Sequence, residues 1–259
     1  MAITVTALSV TPVKGTRIHA VDSIEIDAEG ARGDRAFYVV NEAGAMINAK
    51  RAAILQTVTA DYSPDEERLS FVMPDGAQVA DRVRLGCEAE TTFFGTPRPA
   101  RVLDGPWSDA LSELAGEPLR VVRGGSAVDR GAAGAVSLVS RGSLQRLADA
   151  DCGEPIDPRR FRMLIEIDGV GAHEEDRWVG RELTVGGARV RVRGHVGRCA
   201  TTTRGPETAK VDYPTLKLLA EYRLDEPTTE PLAFGIHGEV LAGGVVRVGD
   251  PVSVAEFAH

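Results

Sequence analysis

The stretch ELTVGGARVRVRG, residues 182–194, decides the fold class. Alternate side chains of a strand face opposite sides, so Val190 and Val192 point one way while Arg189, Arg191 and Arg193 point the other. The strand patterns from residue 182 onward follow one another too closely for helical crossovers between them. That spacing predicts a barrel or a strongly bent antiparallel sheet.

Residues 162–169 (RMLIEIDG) and the closing AFGIHGEVLAGGVVRVGDPVSV (233–254) add further strands, two of them in the closing stretch. YPTLKLLAEYR (213–223) reads as a helix with Pro214 in its first turn, where the missing N–H is unpaired anyway. Toward the N-terminus, 3–11, 36–40, 55–60, 69–73 and 78–85 read as short strands. Trp107, Leu111 and Leu114 lie at helical spacing in 107–115. Leu144 and Leu147 predict a second helix over 140–150, with Ser140 able to cap it. The fold class is mainly β, or α+β: an N-terminal β module over residues 1–95, then a β-barrel over 96–259 with a few helices. The proline-rich, glycine-rich piece at 93–107 serves as the boundary or as an extended crossing.

The chain has 259 residues and 43% hydrophobic composition, enough to bury a sizeable core. A net charge of -8 and a pI near 5.3 argue against nucleic acid or an anionic membrane surface as partner. The first twenty residues lack a signal-peptide core, and no stretch approaches the ~18 apolar residues of a membrane span. The expected location is the cytoplasm. Three widely spaced cysteines, with no CxxC, fit a reducing compartment.

Against this acidic background, residues 181–204 carry six arginines and one acid, Glu182. Those on the strand suit a solvated outer face, whereas Arg198 and Arg204 flank Cys199. A guanidinium near a thiol favours the thiolate, which is both nucleophile and soft metal ligand. The residues leave two readings of Cys199 open: a reactive or ligating thiol, or a small buried hydrophobe. Cys87 and Cys152 lack such surroundings and read as structural. His195 and Cys199 are spaced H-x3-C, but four extended residues span roughly 13 Å, so zinc is a weak reading without a sharp turn at Gly197. No G-x-S-x-G or Walker motif occurs. VRGGSAVDRGAAG (122–134) reads as an exposed loop, and the acids at 65–67 and 174–176 as solvated.

Several stretches together resemble the MOSC family in its two-module form, which includes the amidoxime-reducing components. SVTPVKGTRI (9–18) is similar to the opening Y-P-V-K-S motif, and GARGDRAFYVVNEAGAMINAKRAAIL (30–55) to the D-R-containing block that follows. VSLVSRGSLQRLA (136–148) resembles the helix start that carries serines near the cofactor. RFRMLIEIDG (160–169), with Trp178, resembles F-R-P-N and E-D-x-W. GRCATTTRGPETA (197–209) is similar to the S-R-C-x-x-T-T signature, and FGIHGEVLAGGVVRVGDPV (234–252) to the closing F-G-x-Y pair.

The resemblance implies a molybdenum cofactor (Mo-molybdopterin) with Cys199 as the metal's thiolate ligand and catalytic residue. It implies cofactor contacts from Lys14, Arg35, Ser140, Arg141, Arg162 and Arg198, with Thr202 and Thr203 lining the metal's open side or holding the loop. A phosphate-bearing pterin dithiolene is a polyanion with a soft metal, which guanidinium groups and one thiolate suit. Met163 and Leu164 replace the Pro-Asn of F-R-P-N, and Gly197 replaces the serine before Arg-Cys, which removes two polar contacts. The implied activity is reduction of N-oxygenated (N-hydroxylated) small molecules. Because the chain carries no four-cysteine [2Fe–2S] pattern, electrons come from a separate electron-donor protein. Two alternatives share the scaffold: a sulfur carrier or sulfurtransferase using a persulfide on Cys199, and a noncatalytic cofactor-binding module.

Overall fold

The computed structural model describes residues 2–151 and 153–255, so Cys152 and His259 lie outside the described residues. Seven strands close into a ring in the order Ile165–Asp168, Val136–Ser140, Ala233–Ala242, Ala188–Gly197, Glu182–Val185, Pro251–Val254 and Ile3–Val10. Ile3–Val10 pairs back onto Ile165–Asp168, with Val5 opposite Ile167, and His19–Val21 lies beside its end. The close strand spacing after residue 182 therefore does produce a barrel. Closure requires the first strand of the chain, so the N-terminal stretch contributes to the C-terminal barrel.

Alternation along Ala188–Gly197 works as the sequence implies. Val190 and Val192 are buried in the barrel with Val5, Leu8, Ile165, Ile167 and Trp178, while Arg189 and Arg193 are exposed. The outward arginines are answered by acids on neighbouring strands: Arg191 lies 2.7 Å from Glu182, and both Arg191 and Arg193 lie 3.9 Å from Glu239. This face is a solvated, neutralised exterior.

Within the ring, Val136–Ser140 and Ile165–Asp168 run parallel and are linked through helix α2 (Arg141–Asp149). A parallel pair needs such a crossover. Ser140 caps α2, its Oγ accepting from Ser143 N at 3.1 Å.

A second, five-stranded sheet takes the order Leu85–Phe93, Thr96–Leu103, Leu119–Arg123, Tyr38–Asn41, Met46–Ile47. Helix α1 (Trp107–Ala115) packs on it and buries Trp107 and Leu111 against Phe37, Val39, Leu55, Leu69 and Phe71. Burying such a side chain fully is worth about 1.5–3 kcal/mol, and the Trp107 indole N–H also reaches Leu69 O at 3.0 Å. Residue 95, the end of the N-terminal module in the sequence reading, is the turn glycine between Leu85–Phe93 and Thr96–Leu103. The piece 93–107, read as a crossing, supplies the second strand of that hairpin and the start of α1.

Helix α3 (Thr215–Arg223) starts directly after Pro214. The closing stretch forms three strands rather than two, because Gly244–Arg247 leaves the barrel to pair with Ser23–Asp27. No helix of the described residues is long and apolar enough to cross a membrane.

Candidate functional site

A cleft of about 490 Å³ opens where the barrel meets the second sheet. Its walls come from segments far apart in sequence: 14–15 and 34–35 near the N-terminus, Phe94 at the hairpin tip, 128–137, 160–164, 196–202, Glu230 and His237. Seven cationic side chains line it against three carboxylates, Asp34, Asp129 and Glu230. In a chain of net charge -8, this is a local excess of cationic side chains, the kind of field that attracts anions.

Cys199 sits in the cleft wall, partly exposed, at the cap position of a one-turn 3-10 helix, Ala200–Thr203. Its Sγ lies 3.5 Å from Thr201 Oγ1. Thr202 is buried, and its N–H and Oγ1 both donate to Cys199 O at 3.0 Å, fixing the turn behind the thiol. Arg160 holds the same loop, with Nη1 donating to Thr202 O and Arg204 O at 3.1 Å and to Asp212 Oδ1 at 3.2 Å. Cys199 is thus partly exposed at the cleft wall rather than packed in an apolar core. Cys87 is exposed on the second sheet and packs in no core.

The cations differ in how their donors are used. Lys14 is buried and paired with Asp129 at 2.6 Å. Burial pushes the Lys14 ammonium below its ordinary range and the charges of Arg35 and Arg162 add to this, while Asp129 opposes the shift. Burial alone would raise the Asp129 carboxyl, but Lys14, Arg35 and Arg130 hold it below the usual carboxylate range. Arg35 pairs with Asp34 and donates from Nη2 to Arg162 O at 2.9 Å.

Arg198 spends most of its donors on the protein. It donates to Phe234 O and Phe161 O at 2.9 Å and meets Met163 Sδ at 2.9 Å. Burial, with the charge of Arg130, lowers it to about 9. Arg162 is the exception: among the described residues its guanidinium makes no hydrogen bond or ion pair. Burial first, and then the charge of Arg35, lowers it to about 10. A half-buried guanidinium lining a cleft with its donors unpartnered has the chemistry to meet anionic oxygens.

Lys14, Arg35, Arg162, Arg198, Cys199 and Thr202 thus share one cleft. Ser140, Arg141 and Thr203 are not among its lining residues, contrary to the sequence expectation. The hydroxyl of Ser140 is consumed internally: it caps α2 and donates to Glu175 Oε2 at 2.8 Å, while Ser140 N and Ser143 Oγ reach Glu175 Oε1 at 3.1 and 2.7 Å. Arg141 is exposed on the first turn of α2. Thr203 Oγ1 turns back to Ala200 O at 2.8 Å. Ser137, three residues before Ser140, lines the cleft in its place, its Oγ accepting from Leu164 N at 3.0 Å.

Of the acids at 174–176, Glu174 is exposed as expected, while the other two are corrected. Glu175 is fully buried by the serine pair, and Asp176 pairs with Arg223 at 2.5 Å. The loop 122–134 is not simply exposed, because Asp129 and Arg130 reach the cleft, Arg130 pairing with Glu230 at 2.5 Å. The acidic partners Asp34, Asp129 and Glu230 were missed by sequence reasoning. Only the D-R in the 30–55 block offered a signal, for Asp34.

His195 is buried with Nδ1 accepting from Thr229 N at 3.0 Å and is not among the cleft's lining residues, so the H-x3-C pair shares no site. Among the described residues no group of three or more His, Cys, Asp or Glu side chains is placed to hold a metal ion. A metal bound here would need most of its ligands from elsewhere. One available thiol, an unpartnered guanidinium and a cationic wall fit a metal carried on an anionic organic group.

Comparison with known proteins agrees with this architecture. The MOSC N-terminal beta barrel domain matches residues 2–103 and the MOSC domain matches residues 125–253. Among solved structures, the YUAD protein from Bacillus subtilis aligns over 100% of this chain and 98% of its own, at 12% identity and a TM-score of 0.47. YiiM from Geobacillus stearothermophilus aligns over 49% of this chain and 56% of its own, at 20% identity and a TM-score of 0.37. None of the curated proteins matches the chain significantly. With both domain types present in order and a barrel carrying the cysteine turn, the chain belongs to the two-domain MOSC family, whose members are generally linked to molybdenum-cofactor and sulfur chemistry.

Proposed function

We propose that this protein is a molybdenum-cofactor oxidoreductase that reduces N-hydroxylated compounds, with Cys199 as the protein ligand to the metal. The observation that carries the reading is the pairing of an accessible thiol with the unpartnered Arg162 in one cationic cleft. When bound, the cofactor supplies a two-electron redox centre held on a dithiolene.

The chain's own residues divide the remaining work. Arg162 and Arg35 present guanidinium groups to the anionic end of the cofactor, and Lys14 adds charge while Asp129 holds it in place. Arg160 and Thr202 fix the turn so that the Cys199 thiolate keeps one direction. Arg198 braces the wall beneath it. His237 donates from Nδ1 to Ala133 O at 2.7 Å, which leaves Nε2 as the ring's proton acceptor. The net reaction breaks one N–O bond: the substrate takes two electrons and two protons and yields the reduced nitrogen compound and water. The electrons come from a separate electron-donor protein, and the acidic chain's partner is neither nucleic acid nor membrane.

The test is turnover of an amidoxime to its amidine by cofactor-loaded protein with a chemical reductant, comparing wild type with Cys199→Ala. Loss of turnover in the variant supports the assignment, and equal turnover overturns it. The same thiol, partly exposed, also suits persulfide carriage. Intact-mass analysis after exposure to a cysteine desulfurase separates the two, because a sulfur adduct on Cys199 in pterin-free protein favours sulfur transfer.

A further inference from the structure

The hairpin that reaches the cleft ends in a two-residue loop, Phe94-Gly95, between the paired residues Phe93 and Thr96. Both loop residues have positive φ, +50° and +82°. Such loops favour Asn-Gly, Asp-Gly or Gly-Gly, because a bulky side chain is strained in the left-handed region. Phe94 is nevertheless there, and its side chain is the opposite of a buried anchor: the residue is 60% exposed while lining the cleft. Strain held at a site edge, in a residue that gains little from burial, points to a role for the ring itself.

The ring is also oriented. It meets Phe93 edge-on, centroids 5.1 Å apart with planes at 82°. Phe93 is in turn fixed by Tyr38, by the Arg98 guanidinium 4.1 Å from its centroid, and by burial. Lys14 Nζ stands 5.5 Å from both phenyl centroids, so the charged wall begins where the platform ends. A stiff hairpin thus presents an exposed aromatic surface at the edge of a polar, cationic cleft.

We infer that Phe94 is a specificity-determining residue: it stacks on the planar, conjugated part of a substrate whose polar N-hydroxy group enters the cleft. This deepens the reaction proposed above and rests on it for the identity of the polar group. The platform selects arylated over aliphatic substrates, since an offset or edge contact with a ring adds to simple burial.

The experiment is equilibrium binding of benzamidoxime and acetamidoxime, by calorimetry, to cofactor-loaded wild type, Phe94→Ala and Phe94→Tyr, with molybdenum and pterin content measured on each sample. The expected result is that Phe94→Ala weakens benzamidoxime binding by about two- to tenfold, leaves acetamidoxime unchanged and retains the cofactor, while Phe94→Tyr behaves as wild type. Equal loss for both ligands, no loss for either, or loss of pterin from Phe94→Ala would each overturn the inference. Binding is read without turnover, so a protein that binds benzamidoxime through Phe94 but reduces neither compound refutes the proposed reaction and leaves the platform standing.

Discussion

Replacing Arg162 with methionine should stabilise the cofactor-free protein while weakening its hold on cofactor. The side chain makes no hydrogen bond or ion pair among the described residues, so nothing is left unpaired when it goes. A guanidinium lowered from its ordinary range to about 10 has lost about 3 kcal/mol of its preference for charge. Because the group borders an open cleft, solvent screening reduces the recoverable part to about 1–2 kcal/mol. The sign follows from proton linkage. From about 10 up to the ordinary arginine range the unfolded chain binds the proton that the folded one releases, so stability rises with pH there, and below about 10 the full penalty persists. At pH 7 the methionine variant escapes it. Cofactor binding moves the other way, since a lost charge-assisted hydrogen bond of about 1.5–3 kcal/mol weakens affinity roughly 10- to 150-fold. The assay is denaturant unfolding at pH 7 of wild type and Arg162→Met from a host that makes no cofactor, paired with pterin content from a host that does. A lower unfolding midpoint for the cofactor-free variant would show that Arg162 is a structural residue, and the reasoning would fail.

Arg198→Met, in the same cleft, should act in the opposite direction. It strips donors from the Phe161 and Phe234 carbonyls and should cost about 1–3 kcal/mol in denaturant unfolding despite relieving a buried charge. Glu175→Ala should destabilise by about 2–4 kcal/mol, because it leaves Ser140 N and two buried hydroxyls without their acceptor; thermal melts of the variant beside Glu175→Gln, which keeps one carbonyl acceptor, should place the glutamine between wild type and alanine. Gly235→Ala should cost about 2 kcal/mol or more, since its φ is +80° and a Cβ would sit 2.7 Å from Leu138 O and from Met163 Cε. A melting temperature equal to wild type would contradict that placement.

The barrel was legible because ELTVGGARVRVRG carries the period of a half-buried strand, and because its turn, Gly186-Gly187, includes a residue at φ +52° that most side chains resist. Helix α1 was legible for a similar reason, with Trp107 and Leu111 spaced one turn apart on a buried face. The strand Thr96–Leu103 was not, since Pro97 and Pro99 suggest a break. They are tolerated because that end of the strand pairs only with Leu85–Phe93, while Leu119–Arg123 joins it at Arg101 and Val102. Site residues that sit on the cysteine turn or in a charged motif were readable from chemistry and resemblance. Ser140 caps α2 and meets Glu175 outside the cleft lining, a placement the sequence does not show because a hydroxyl at a helix start serves a cap, a buried carboxylate or a ligand equally well. Glu175 and Asp176 looked solvated because their counter-groups, the serine pair and Arg223, lie more than thirty residues away in the chain. Asp129 fell in a glycine-rich run with no periodicity to show which side chain turns inward.

On the function proposed here, Cys199 and the cationic cleft hold a metal-bearing pterin. The most direct measurement is the molybdenum and pterin content of wild type and Cys199→Ser, purified side by side from a host that makes the cofactor. The expected result is close to one equivalent of each in wild type and markedly less molybdenum in the variant. Neither metal nor pterin in either protein, or identical loading of both, would contradict it.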